Sequence, residues 1–295
     1  MSSSLIPKSA RLNPVDYLLI GHVTQDLTPE GAVLGGTVSY AARMAAAMGW
    51  KVGIVTAAPA GLDLSSLAEF PIQRIECEKA TTYENIQTPA GRVQYLHHKA
   101  PRLKAADVPS NWRDANIVHL GPVADEIDPS LVDIFPNSFL CITAQGCLRG
   151  ADAEKRVHYK DWADAEQVLP HCQAAIISLE DVEGDEGRIQ FFVRHCPVLA
   201  VTEGAEGTRI YWKGDVRRIR APKVEVVDQT GSGDIFAAVF FSRLYTTRDP
   251  WLAGAQAVHL ASLSVTRVGV QGVPTAQEVQ SALTEILPNP IKPYA

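Results

Sequence analysis

The sequence predicts a three-layer α/β protein with a mostly parallel central sheet, helices on both faces and a small β lid. Three observations lead there. Short apolar runs alternate along the chain with helix-compatible segments; most are apolar throughout, as strands covered on both faces are; and the C-terminal third holds successive amphipathic helices.

Val15 to Ile20 and Val52 to Thr56 read as buried strands, the first ending at Gly21 and the second bounded by Gly49 and Pro59. Between them Val38 to Met48, rich in Ala and Met, is entered through Gly35, Gly36 and Thr37 and stops at Gly49, as a helix with a C-terminal glycine does. Further strands are expected at Ile117 to Leu120, Phe139 to Thr143, Ala174 to Leu179 and Val198 to Thr202. Ile235 to Leu244, Pro250 to Val268 and Thr275 to Leu287 read as helices, the last two opened by Pro and Thr. Thr81 to Lys99 departs from the alternation. Its β-branched and aromatic residues flank a Pro89-Ala90-Gly91 turn, which predicts a hairpin. No repeat or Pro/Ser-rich linker divides the chain, so one domain over residues 1–295 is expected, with the lid drawn from about 22–35 and 78–100.

Composition narrows the function. The 295 residues are 46% hydrophobic and 20% charged, with 27 Lys+Arg against 33 Asp+Glu for a net charge of −6, which argues against disorder and against a nucleic-acid surface. No apolar stretch approaches a membrane span, and Met1 to Pro14 reads as a loose tail without the apolar core of a signal peptide, so a cytoplasmic protein is expected. Cys77, Cys141, Cys147, Cys172 and Cys196 contain no C-x-x-C and are expected as reduced thiols; the eight histidines show no metal-binding spacing.

The sharpest local feature is Val224 to Phe236, VEVVDQTGSGDIF, read as a strand running into Gly231-Ser232-Gly233 and a helix beginning near Asp234. Glycine-exposed amides and the positive end of a helix make a cradle for phosphate. Asp234 beside it is placed to accept the proton of an attacking hydroxyl, or simply to cap the helix. The dinucleotide fingerprint G-x-G-x-x-G is incomplete, with Phe236 at the third glycine position, which disfavours an oxidoreductase. No G-x-x-x-x-G-K-[ST] loop exists.

Asp228, Thr230, Gly231, Gly233 and Asp234 reproduce D-x-T-G-x-G-D, so the sequence resembles the PfkB, or ribokinase-like, carbohydrate kinases, and Leu34-Gly35-Gly36 leading to Ala42 resembles their N-terminal signature. The resemblance spans nearly the whole chain. It implies a ribokinase-like fold, ATP and Mg²⁺ as cofactors, and a small polyol acceptor, myo-inositol first because the G-G-x-x-S-[FY] form resembles the inositol-kinase-like branch. A nucleoside kinase and an inactive sugar-binding regulator are the alternatives. A monomer or homodimer is expected, with no nucleic-acid or membrane partner.

The same resemblance implies roles. Asp234 is the base and the amides of Gly231, Ser232 and Gly233 the anion hole; Asp26, Gly35, Gly36, Tyr40, Gln145 and Arg149 face the acceptor. Ser178, Thr202, Gly204, Gly207, Thr230 and Ser262 join Gly231 and Gly233 on the nucleotide side. Asp181 holds Mg²⁺ through water, and Asp228 is placed for a stimulating K⁺. Two positions depart from the family pattern: its signature Asn is Tyr40, and its N-x-x-E element is Ser178-Leu179-Glu180-Asp181, one methylene shorter at the acidic position.

Overall fold

Alternate side chains of each central strand serve opposite cores. In β1 (Tyr17–Ile20), Tyr17 and Leu19 enter one cluster and Leu18 and Ile20 the other, and all four are buried, which is why the run is apolar throughout. The computed structural model describes residues 13–29, 31–88 and 91–284.

After β1 the chain forms β2 (Thr24–Thr28), β3 (Gly31–Gly35) and α1 (Thr37–Ala47), then β4 (Val52–Ala58) and β5 (Ile72–Glu76). A hairpin of β6 (Thr81–Thr88) and β7 (Gly91–His98) precedes β8 (Ile117–Leu120) and β9 (Phe139–Thr143). Two short strands, β10 (Arg149–Ala151) and β11 (Val157–Tyr159), lead through α2 (Ala165–Val168) to β12 (Ala174–Ser178), α3 (Glu186–His195) and β13 (Val198–Thr202). The rest is β14 (Thr208–Trp212), β15 (Asp215–Ile219), α4 (Ser232–Thr247), α5 (Pro250–Ser264) and α6 (Ala276–Leu283).

Nine strands make the central sheet in the order β15-β14-β13-β12-β9-β8-β1-β4-β5, parallel from β5 through β13, with β14 and β15 antiparallel. One face carries the core shared with α1, α4, α5 and α6, where Phe236, Phe240 and Phe241 are buried. The other face packs Leu103, Trp112, Leu131, Val168, Ile189 and Phe192 from loops, α2 and α3. A separate four-stranded sheet, β3-β2-β6-β7, stands beside it, and β10 pairs with β11. The five cysteines are free thiols, four of them buried. No helix among the described residues is long and apolar enough to cross a membrane.

Several boundaries differ from expectation. The approach to the glycine motif, Val224 to Val227, is not a strand: it lies outside the ladders, and the N–H groups of Val227 and Asp228 both donate to the Val265 carbonyl (2.7 and 3.1 Å). That diversion of Val265, together with the capture of the Gly269 N–H by Asp228, stops α5 at Ser264 rather than Val268. The hairpin turn residues Pro89 and Ala90, the tail before Asn13 and the end of the last expected helix, residues 285–287, lie outside the described residues.

Candidate active site

The helix α4 begins at Ser232, two residues before the expected start, because Gly231 is its N-cap in the left-handed conformation (φ 77°), a region in which L side chains are strained. Asp234 is therefore not the cap. It stands in the first turn, and the first bond of the helix, from the Ile235 N–H to the Gly231 carbonyl (2.9 Å), starts beyond the amides of Gly233 and Asp234. Those donors stand at the positive end of a 16-residue helix.

Facing it is α1. Tyr40 lays its ring against Gly231 so closely that a Cβ there would enter the ring. Burial, with the charges of Asp228, Asp234 and Asp26 added, pushes the Tyr40 hydroxyl up to about 12. Burial pushes the Asp234 carboxyl up to about 6, against the lowering effects of Thr37, at the first turn of α1, and of Arg149, and with Asp26 raising it further. A solvated aspartate would be fully ionised well below that; this one changes charge near neutral pH.

Asp26 reaches the same space from β2. Its Oδ1 accepts the Thr24 hydroxyl (3.0 Å), and its carboxylate lies over Gly35, where a Cβ would collide with it. Register sets the approach: Asp26 is opposite Val33 on β3 and Tyr83 on β6, so all three share one face of the small sheet. The Tyr83 hydroxyl donates to the Val123 carbonyl (2.5 Å), which turns that face toward the large sheet. Arg149, at the start of β10, lies near enough to Tyr83 and Asp234 for its charge to act on both. Asp26, Thr37, Tyr40, Tyr83, Arg149 and Asp234 thus surround one space.

The other predicted residues distribute unevenly. Asp228 is a clip: Oδ1 accepts the Thr230 N–H (2.9 Å) and Oδ2 the Gly269 N–H (2.8 Å), tying the segment after α5 to the cradle. Ser178 and Asp181 bond each other reciprocally, Ser178 N–H to Asp181 Oδ2 (2.8 Å) and Asp181 N–H to Ser178 Oγ (3.0 Å). Asp181 and Arg149 line one cleft of about 270 Å³ that also takes in Gln94, Arg156, His158 and Tyr159. Thr202 ends β13, Gly204 (φ 56°) has open space around it, and Gln145 is half-buried in the turn after β9. Gly207 packs against the Ile219 carbonyl, and Ser262 is buried with its hydroxyl on the Val258 carbonyl (2.8 Å). Among the described residues, no group of three or more His, Cys, Asp or Glu side chains could hold a metal ion.

Residues 169–276 match the pfkB family carbohydrate kinases. The cytidine kinase of Thermococcus kodakarensis is 25% identical over 77% of this chain and 88% of its own length. The inositol 3-kinase of Oryza sativa subsp. japonica is 25% identical over 96% of this chain and 76% of its own. Among solved structures, a pyrophosphate-dependent kinase in the ribokinase family, complexed with a pyrophosphate analog and myo-inositol, superimposes with a TM-score of 0.74 at 19% identity, covering 90% of this chain and 99% of that one. Arabidopsis thaliana ribokinase, complexed with ribose and ATP, gives 0.69 at 14% identity over 93% of this chain and 100% of that one. Signature, fold and relatives point the same way: residues 169–276 carry the match to the pfkB family carbohydrate kinases, and the chain has the ribokinase-like α/β fold.

Proposed function

We propose that this protein is an ATP- and Mg²⁺-dependent kinase that transfers the γ-phosphoryl group to a hydroxyl of a small polyol, with myo-inositol as the first acceptor to test. The observation that carries the proposal is the placement of Asp234 in the first turn of α4, partly buried beside free amides and facing Asp26 across Tyr40. Phosphoryl transfer needs little covalent help from a protein; it needs the attacking oxygen aligned and the charge on the equatorial oxygens stabilised.

In this scheme Asp26 and Tyr40 orient the acceptor with one hydroxyl against Asp234. As the oxygen of that hydroxyl bonds to the γ-phosphorus, its proton passes to the Asp234 carboxylate and ADP leaves with the bridging oxygen. The amides of Gly231 to Asp234 lie where charge collects. The small sheet β3-β2-β6-β7 acts as a lid, keeping water from competing with the acceptor. For Mg²⁺, Asp181 would hold the ion through water: its carboxylate lines the cleft and is a hard oxygen donor, suited to an ion that keeps several waters and arrives with the phosphates. When bound, the ion would neutralise phosphate charge.

A nucleotide donor is favoured over bare pyrophosphate by four exposed apolar side chains. Val226 (50% exposed) and Val227 (54%) precede the cradle, Val268 (63%) and Val270 (45%) follow α5, and the Asp228 clip joins the two segments. Such a surface offers an apolar wall for a base and nothing for a phosphate. A nucleoside acceptor is the second reading, favoured by the match to a cytidine kinase.

Both readings are tested by incubating the protein with Mg²⁺ and either ATP or pyrophosphate against a panel of myo-inositol, ribose, fructose and cytidine. ADP release that requires both ATP and myo-inositol is the expected result. Release without any acceptor, or ligand binding without turnover, would contradict the proposal. In the active pair, Asp26→Ala should raise KM for the acceptor at least about tenfold while KM for ATP changes less than about twofold, since a hydrogen bond to a charged group contributes about 1.5–3 kcal/mol. Equal changes in both would assign Asp26 a structural role.

A further inference from the structure

Four crossings lead into or out of the small sheet, at residues 21–23, 36, 77–80 and 99–101, and a single buried histidine touches the chain at each of them or at its edge. His22 itself forms the first. A Cβ on Gly36 (φ 91°) would collide with the His22 carbonyl, so the second crossing passes directly over it. Thr81, the first residue of β6, meets Nδ1 through its hydroxyl (2.7 Å). At the fourth, the Pro101 carbonyl meets Nε2 (2.9 Å).

The chemistry fixes the roles of the two ring nitrogens. A proline carbonyl only accepts, so Nε2 carries the hydrogen, and Nδ1 of the neutral ring accepts from the Thr81 hydroxyl. That hydroxyl oxygen in turn accepts the Ala100 N–H (3.1 Å), which closes the fourth crossing onto the third. Anchoring to the large sheet comes through the main chain. The His22 N–H donates to Oε1 of the buried Glu126 (2.9 Å), whose carboxylate also takes the N–H groups of Val123 and Ala124 (3.0 and 2.7 Å). The next amide, Val23 N–H, donates to the Thr56 hydroxyl in β4 (2.8 Å). One side chain therefore spans crossings whose partners lie 59 and 79 residues away in sequence.

We propose that His22 is a positioning residue, the hub that sets the angle of the small sheet over the active site and thereby holds Asp26, four residues further along the chain in β2, opposite Asp234. The catalytic consequence rests on the kinase reading above; the mechanical one does not.

The test compares the full-length protein with His22→Ala and Thr81→Val by amide hydrogen exchange, without ligand. Exchange in β2, β6 and β7 should rise about tenfold or more, the scale expected for losing a buried hydrogen bond, while β1, β4, β8 and β9 keep their protection. Unchanged exchange in the small sheet, or the same rise in both sheets, would overturn the hub. Thr81→Val removes one hydroxyl with little change in volume, so the comparison survives if His22→Ala fails to fold. Steady-state kinetics with ATP and myo-inositol supply the second readout: KM for myo-inositol should rise about tenfold in either variant, with KM for ATP within about twofold. Equal rises in both KM values would also overturn the positioning role. A wild-type protein that turns over no myo-inositol would count against the substrate assignment, and the exchange result would still decide the hub.

Discussion

Replacing Asp234 with Asn should lower kcat by about 10²–10⁴-fold, the range for a lost general base, while leaving the fold and ATP affinity intact. The amide side chain is nearly isosteric with the carboxyl it replaces. The wild-type carboxyl must be ionised to accept a proton, and burial pushes its pKa up to about 6, so kcat/KM should fall as pH drops through about 6. Stability runs the other way. A carboxyl raised from 3.8 favours the folded state in its protonated form, a contribution complete below pH 3.8 and lost as pH rises through about 6. Asp234→Asn carries no charge to bury, so its Tm at pH 8 should equal or exceed that of the wild type, the signature of a residue kept for chemistry at the expense of stability. Thermal melts at pH 5 and pH 8 alongside the pH–rate profile check both halves; a variant with near-normal turnover, or one that melts well below wild type at pH 8, would contradict them.

The second large effect is expected at Gly231. Its φ of 77° is strained for an L side chain, by about 1–2 kcal/mol, and a Cβ would strike the Tyr40 ring. Gly231→Ala should therefore shift the first turn of α4, misalign the amides of Ser232 to Asp234 and reduce kcat by about 10²–10³-fold, comparable to removing an oxyanion-hole donor. Circular dichroism and turnover measured on Gly231→Ala separate a misaligned cradle from general unfolding: helical content should survive while activity collapses.

The parts of the fold that were legible in the sequence are those written in contiguous residues. The central parallel strands show as apolar runs because both faces are covered, and the small-sheet hairpin shows as alternating β-branched and aromatic residues around a turn. The cradle was legible because Asp228 to Asp234 is one local motif whose glycines have local reasons to be there. What escaped is set by contacts distant in sequence. The pair β10 and β11 consists of three-residue strands with no readable alternation, and β14 and β15 pair at an exposed edge of mixed charge. The start of α4 and the end of α5 depend on each other through Asp228, Val265 and Gly269, which no single window contains. The same holds for the site. Thr37 on Asp234, Tyr83 beside Arg149 and His22 at the crossings are ordinary residues locally, and only the topology makes them neighbours. Gly207 and Ser262, which the resemblance marks, have the Ile219 and Val258 carbonyls as packing partners.

The central claim is that the first turn of α4 receives the phosphoryl group in transit. A crystal structure with Mg²⁺ and a non-hydrolysable ATP analogue tests it most directly. The account predicts the terminal phosphate oxygens within about 3 Å of the backbone nitrogens of Gly233 and Asp234, as hydrogen-bond geometry requires, with open space for a hydroxyl between the phosphorus and the Asp234 carboxylate. A terminal phosphate bound elsewhere on the chain, with those amides facing only water, would contradict it.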